Sequence, residues 1–257
     1  MNQPQLSTTQ PQATEPATTQ AAVDKSTERV RRMFAEIAPR YDFLNHLLSL
    51  NIDRYWRRRT LGILSPQNGD PFLDVCTGTG DLALAAAKIL DTQTTVIGSD
   101  FCGEMLAFAT QKQRKMGLDG HRLAFLEADT TSLPFENNQF QTVSVAFGLR
   151  NVVDTLQGLR EMVRVCRPGG TVGVLEFSQP TLPVLKQIYK FYFRRILPGI
   201  GNKVAKNSKE AYAYLPASVS QFPCGEAMAE LMRQVGLSQV RYVPMTFGVA
   251  TLYLGRK

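Results

Sequence analysis

Three carboxylates, Asp74, Asp100 and Asp129, each close a short apolar run, and a glycine-rich turn follows the first of them. The segment Phe72-Leu73-Asp74-Val75-Cys76-Thr77-Gly78-Thr79-Gly80-Asp81 reads as a strand, a tight turn and the start of a helix at Leu82. In an open parallel sheet, ligands sit outside the carboxyl ends of the strands, where the strand order reverses. Gly78 and Gly80 let the backbone approach a ligand with no Cβ in the way. Asp100 closes Val96-Ile97-Gly98-Ser99-Asp100, about 20 residues past the turn, where an acid can accept from two ribose hydroxyls. Asp129, in Ala128-Asp129-Thr130, suits an adenine amino group, and Asp74 suits an ammonium group.

The turn Gly78-x-Gly80-x-x-Ala83 also fits the relaxed dinucleotide fingerprint, so the glycines alone do not separate NAD from S-adenosylmethionine. The charges do. A pyrophosphate docks at a helix N-terminus, and here that position carries Asp81 with Asp74 just before the turn. Three acids with no cation near the turn favour S-adenosylmethionine, whose ammonium and sulfonium are both positive, over an NAD-dependent oxidoreductase. The expected cofactor contacts are Asp74, Gly78, Thr79, Gly80, Asp100, Met105, Asp129 and Thr130.

These groups need a sheet to hold them. Strand-like and helix-like segments alternate after the turn, with helices expected at 82–90, 103–116 and 155–166 and strands at 95–100, 122–127, 140–147 and 171–177. Asp154 is the expected N-cap of the third helix, and Arg167-Pro168-Gly169-Gly170 an expected turn. Such alternation gives a parallel sheet covered by helices on both faces. Two strands in succession, 239–243 and 247–254, can only pair antiparallel and close the sheet with a hairpin. Before the first strand, Val30, Met33, Phe34 and Ile37 mark an amphipathic helix over 27–38. A polar-aromatic break at Arg40–Asn45 and a second helical stretch through Trp56 and Leu61 follow.

With 257 residues and 44% hydrophobic content, the chain can bury one substantial core. Residues 1–26, rich in Gln, Thr, Pro and Ala, are expected to form a disordered tail, with neither a secretory signal nor a transit peptide in them. No apolar run reaches the ~20 residues of a membrane span. Four scattered cysteines and two histidines argue against a disulfide framework and against a metal site.

The net charge of +7 is concentrated at Arg54, Arg57, Arg58 and Arg59 and in the stretch 177–209, which has no acid but carries Lys186, Lys190, Arg194, Arg195, Lys203, Lys206 and Lys209. Within it, Leu185, Ile188, Tyr189, Tyr192, Phe193 and Ile196 recur at helical spacing over 184–197, with Lys186, Lys190 and Arg194 alongside. That pattern suits a helix in a lipid headgroup layer, a lid over an apolar pocket, or an ordinary core-facing helix. Non-specific nucleic-acid binding is the competing reading of the charge, and no specific nucleic-acid partner is expected.

Four strings in order resemble the ubiquinone and menaquinone biosynthesis C-methyltransferases, over about Arg29 to Lys257. They are Tyr41-Asp42-Phe43-Leu44-Asn45 with Leu48-Ser49 and Trp56, Phe147-Gly148-Leu149-Arg150-Asn151-Val152, Arg164-Val165-Cys166-Arg167-Pro168-Gly169-Gly170, and Leu175-Glu176-Phe177-Ser178. Three positions depart from the family pattern: Leu44 for methionine, Asp53 for histidine and Cys166 for an aliphatic residue. Asp53 removes the signature's histidine as a catalytic group.

The resemblance implies an α/β fold of the class I S-adenosylmethionine-dependent, Rossmann-like kind, with a mostly parallel seven-stranded sheet and a C-terminal antiparallel hairpin. It implies one methyltransferase domain over 27–257, with N-terminal helices and a lid-like insertion at about 180–222. Thr246-Phe247-Gly248-Val249-Ala250-Thr251-Leu252-Tyr253 is more similar to the menaquinone branch, so the implied substrate is demethylmenaquinol, with benzoquinol and phytyl-naphthoquinol substrates as alternatives. Arg150 and Asn151 are the implied oxyanion-stabilising groups, and Tyr41 closes over the ring. His46 is a candidate base by its ordinary pKa alone, with no fixed role in the signature. An isoprenoid substrate implies a cytoplasmic enzyme in weak peripheral contact with the anionic inner face of a membrane, and a homodimer is left open.

Overall fold

The computed structural model describes residues 24–180, 187 and 209–257. Most of the expected tail, the expected helix 184–197 apart from Gln187, and much of the expected insertion lie outside the described residues.

Seven strands form one sheet: β1 Phe72–Val75, β2 Val96–Asp100, β3 Leu123–Glu127, β4 Phe140–Ala146, β5 Cys166–Phe177, β6 Ser238–Met245 and β7 Ala250–Arg256. Their order is β3-β2-β1-β4-β5-β7-β6. The first five run parallel, and β7 joins β5 and β6 antiparallel, as the two successive strands at the chain's end require. The order reverses between β1 and β4, where Asp74 of β1 lies level with Ser144 of β4 and Gly98 of β2.

Among the described residues there are eight α-helices: α1 Thr27–Ile37, α2 Tyr41–Leu48, α3 Ile52–Leu64, α4 Asp81–Ile89, α5 Gly103–Lys115, α6 Thr155–Val165, α7 Lys209–Gln221 and α8 Glu226–Gln234. One core packs Trp56, Leu61 and Leu64 of α3 and Leu82, Leu84 and Ala86 of α4 against Phe72, Leu175, Leu252 and Leu254. The other packs Leu159, Met162 and Val165 of α6 and Met228 and Met232 of α8 against Leu73, Val75, Val143 and Val174. Because both faces are covered, all four residues of β1 are buried, and Asp74 is inside with them. Asp154 caps α6 as expected, its side chain accepting from the backbone N of Gln157 at 2.9 Å.

Two expectations are corrected. The break at Arg40–Asn45 is helical: Pro39 sits in the first turn of a short 3-10 helix, Ala38–Arg40, and the chain re-enters α-helix at Tyr41. Proline's fixed φ suits a helix start, so Pro39 redirects the chain without ending helical structure. Arg167–Gly170 is likewise no free turn but the first part of β5. Gly169, at φ 75°, absorbs the irregularity there, and its N–H donates to Lys257 O at 2.8 Å. No described helix is long and apolar enough to cross a membrane.

Candidate active site

At the carboxyl ends of β1 and β4 a cleft is lined by Tyr41, Asp74, Gly78, Asp100, Met105, Asp129, Thr130 and Asn151, among others. Of the expected cofactor residues all but Gly80 line it; Gly80 packs instead against Ala109 and Phe125 behind the turn. Asp74 is buried, accepting from Thr77 Oγ1 at 2.6 Å and Ser144 Oγ at 2.9 Å. Asp100 accepts from the backbone N of Gly78 at 2.8 Å and of Cys102 at 2.9 Å. Neither carboxylate has a cation paired with it among the described residues, and burial raises both, Asp74 to about 7 and Asp100 to about 6. Asp100 adds to the rise at Asp74 because like charges oppose ionisation. Two buried acids short of positive charge, beside a glycine turn, fit the ammonium and the ribose hydroxyls of S-adenosylmethionine.

That fit gives a pH signature. A cationic ligand favours the ionised acids, so its binding should lower both pKa values and release protons. Affinity should rise as pH climbs through about 6 to 7 and level off above. Calorimetry in buffers of different ionisation enthalpy checks this, with net proton release near pH 6 expected and none at pH 8 as its complement.

Asp129 is exposed at the cleft edge, and one carboxylate oxygen accepts from the N and Oγ1 of Thr131, both at 2.8 Å. Thr130 lies buried with its hydroxyl 3.2 Å from Cys76 Sγ. Met105, 2% exposed, forms part of an apolar wall. Gly80, at φ 80°, is packed so that a Cβ would lie 2.9 Å from Ala109 Cβ and from the Phe125 ring. Thr79 is turned to another use: its hydroxyl donates to Asp42 Oδ1 at 2.5 Å and accepts from Lys112 Nζ at 3.2 Å.

The expectation that no cation stands near the turn is corrected here. Lys112 of α5 pairs with Asp81 and, at 2.8 Å, with Asp42 of α2. Arg57 of α3 pairs with Asp53 at 2.5 Å and reaches Asp81 at 3.6 Å, its guanidinium over the Phe147 ring. These cations hold Asp81 below the ordinary carboxylate range, Arg57 contributing before Lys112 against the opposing effect of burial. They neutralise Asp81 while leaving Asp74 and Asp100 unpaired, so the charge argument for S-adenosylmethionine rests on those two acids. Asp53 also accepts from His46 Nδ1 at 3.0 Å and Ser49 Oγ at 2.6 Å. Ligand atoms of His46, Asp53 and Asp81 lie within 4.8 Å of one another, but both acids are already matched by Arg57 and Lys112. His46 is committed to this network and is not among the cleft residues.

Across the cleft, Tyr41 meets Phe34 edge-on with ring centroids 6.0 Å apart and stands beside Gly78, where a Cβ would lie 3.9 Å from Tyr41 Cε1. Burial raises its phenol pKa. Asn151 lines the cleft, whereas Arg150, expected to stabilise the oxyanion, is buried just behind it and is not among the lining residues. Arg150 Nη1 donates to Phe147 O and to both Glu176 carboxylate oxygens, at 3.3 and 3.1 Å, with the guanidinium 5.4 Å from the Phe177 ring centroid. Its backbone N also donates to Glu176 Oε1, at 3.2 Å. Glu176 was given no role on sequence, although a lone acid in the apolar run of β5 is the signal that could have marked it. Arg57 was lost among its neighbouring arginines; its i, i+4 spacing from Asp53 was the available clue.

The turn carrying Arg150 and Asn151 packs tightly on the turn after β1, since a Cβ on Gly148 would overlap Cys76 Cβ. Gly148→Ala should therefore destabilise the fold by about 1–3 kcal/mol and displace Asn151. A thermal melt paired with a turnover assay would register both effects.

The fold and the cleft define an S-adenosylmethionine-dependent methyltransferase. Solved structures with this fold include a SAM-dependent methyltransferase of Thermotoga maritima, with TM-score 0.62 and 16% identity over 88% of this chain and 99% of that one. A methyltransferase of Haloferax volcanii in complex with the activator Trm112 gives TM-score 0.61 and 18% identity over 87% and 96%. At such identities the likeness is one of fold. Closer kinship comes from sequence: the chain belongs to the ubiE/COQ5 methyltransferase family, whose model matches residues 22–257. The ubiquinone/menaquinone biosynthesis C-methyltransferase UbiE of Geobacter sp. (strain M21) is 44% identical over 92% of this chain and 99% of its own length. The demethylmenaquinone methyltransferase of Bacteroides fragilis is 41% identical over 91% and 94%.

Proposed function

We propose that this protein transfers a methyl group to a ring carbon of demethylmenaquinol, giving menaquinol. The observation that carries this reading is the cleft itself, where two unpaired buried acids stand at the cofactor turn and Asn151, backed by Arg150, stands on the substrate side. The similarity to a relative named for demethylmenaquinone supports the choice of ring.

S-adenosylmethionine supplies an electrophilic methyl group when bound. The chain's part is to hold it, orient the quinol and make one ring carbon nucleophilic. Asp74 would take the ammonium, Asp100 the ribose hydroxyls and Asp129 the adenine amino group. The ring carbon becomes nucleophilic as the neighbouring phenolic hydroxyl loses its proton. That hydroxyl titrates near ~10, so about 4 kcal/mol must be supplied at neutral pH. Arg150 stays charged and cannot act as the base. Anchored through Nη1 on Glu176, it has no partner for its Nε–H among the described residues, which leaves that group as a donor to the developing oxyanion. Tyr41, beside Gly78 and Phe34, would close over the ring. With the methyl–sulfur bond broken and S-adenosylhomocysteine left behind, the methylated carbon would lose its ring proton to solvent water and aromaticity would return.

Quinone extraction from a deletion strain tests the substrate: demethylmenaquinone should accumulate and fall when the gene is restored. Accumulation of a demethylated benzoquinone alone would move the substrate to the ubiquinone branch.

A long isoprenoid tail also requires a lipid surface. We propose weak contact with the anionic inner face of a membrane, supported by the exposed Arg54, Arg58 and Arg59 of α3 and by the basic, aromatic pattern of 184–197. Each basic side chain near such a surface contributes about 1 kcal/mol. A variant with Lys186, Lys190 and Arg194 all changed to Gln should sediment less with anionic vesicles at physiological salt. It should lose activity on long-tailed quinol in vesicles while keeping it on a short-tailed analogue. Equal loss on both would remove the membrane role of that segment.

A further inference from the structure

Among the described residues, three buried polar atoms on the substrate side have no hydrogen-bond partner: Arg150 Nε, Asn151 Oδ1 and Tyr214 Oη. Arg150 and Asn151 are neighbours on the turn after β4, and α7, which carries Tyr214, packs against that turn and against α1. Tyr214 is 7% exposed, and its ring sits with Val30 and Met33 of α1, beside Phe34 and Phe101. Phe34 and Phe101 themselves line the cleft, so this ring forms the layer directly behind the cleft wall. The Tyr214 phenol lies within electrostatic reach of Arg150 and Glu176, and burial keeps it protonated at neutral pH.

Buried polar groups are almost always satisfied, and one left unpaired costs stability, so three orphans in one neighbourhood call for a ligand. Their chemistry is specific. Arg150 Nε–H and Tyr214 O–H are donors, and Asn151 Oδ1 is an acceptor. A neutral hydroquinone offers two hydroxyls, and a dianion offers no donor. A monoanion offers one oxygen that needs donors and one hydroxyl that needs an acceptor, which is the set present here.

We propose that Tyr214 is a further substrate-contacting residue, whose phenol donates with Arg150 to the ionising oxygen of the hydroquinone while Asn151 accepts from the hydroxyl that keeps its proton. This rests on the quinol reading above. The three atoms are shielded from solvent, so the ring enters by parting α7 and α1 from the Gly148–Val152 turn. Shielding of these atoms from solvent strengthens each donor toward the oxyanion.

The test is Tyr214→Phe, which keeps the ring against Val30, Met33 and Phe34 and removes only the hydroxyl. Turnover on reduced, short-tailed demethylmenaquinol should fall about 100-fold, the scale of one lost oxyanion donor, with S-adenosylhomocysteine affinity unchanged as the control for folding. The decisive readout is a series of ring-halogenated naphthohydroquinones of rising acidity. The variant's deficit should shrink along the series, because a more acidic hydroxyl needs less help. Tyr214→Gln, which restores an N–H donor, should recover part of the loss. A deficit equal across the series, or wild-type turnover in Tyr214→Phe, would overturn the assignment while leaving the quinol reading intact. If the parent enzyme binds S-adenosylmethionine but methylates no hydroquinone, both fall.

Discussion

Replacing Glu176 by Ala is expected to cost about 3–5 kcal/mol of stability, because it strands the Arg150 guanidinium in a buried site with its ion-pair partner gone. Glu176 is wholly inaccessible and receives three donations from Arg150, two from Nη1 and one from the backbone N, so it fixes both the side chain and the turn that carries it. A chemical denaturation curve would show the loss directly. Arg150→Ala should lose comparable stability, since it leaves the Glu176 carboxylate buried without its cation, and in the folded protein turnover should also drop by about 100- to 1,000-fold, with cofactor affinity nearly unchanged. Arg150→Lys should not restore it, since a single ammonium cannot hold Glu176 through one nitrogen and present another donor to the quinol. Near-normal turnover in Arg150→Ala would pass the oxyanion to Tyr41 and Tyr214.

The second large effect is on the cofactor. Asp100→Ala should weaken binding of S-adenosylmethionine and S-adenosylhomocysteine by about 100-fold, as a charged acceptor for the ribose is lost together with the Gly78 N–H partner that shapes the turn. The melting temperature should change far less. Asp100 has a folded pKa of about 6, above the ordinary value near 3.9, so its ionisation opposes folding. That penalty develops as pH rises from about 4 to 6 and is of order 3 kcal/mol at neutral pH. Removing the carboxylate relieves it, offsetting the loss of two backbone hydrogen bonds. Isothermal calorimetry and a thermal melt on the same variant separate the two effects.

The acids at 74, 100 and 129 were legible because strand–helix alternation sends each strand's carboxyl end to the same edge of the sheet. The hairpin was legible because two strands a few residues apart have one way to pair. Lys112 and Arg57 were not, since what brings them to Asp81 is the packing of α5 and α3 beside α4, which no local spacing encodes. The helical run from Tyr41 was hidden by Pro39, which reads as a stop when it stands in a helix's first turn. Arg150 was found by its string, but its direction was not, because Glu176 lies on β5, 26 residues further along.

The central claim is methyl transfer to a quinol ring carbon, and one assay addresses it most directly. Purified protein would be incubated with methyl-labelled S-adenosylmethionine and chemically reduced, short-tailed demethylmenaquinone, and the product analysed by mass spectrometry and NMR. The label is predicted on the vacant ring carbon, giving menaquinol, with no transfer when the quinone is left oxidised and has no hydroxyl to ionise. Label on a quinol oxygen, or no transfer by protein that binds the cofactor, would contradict the account.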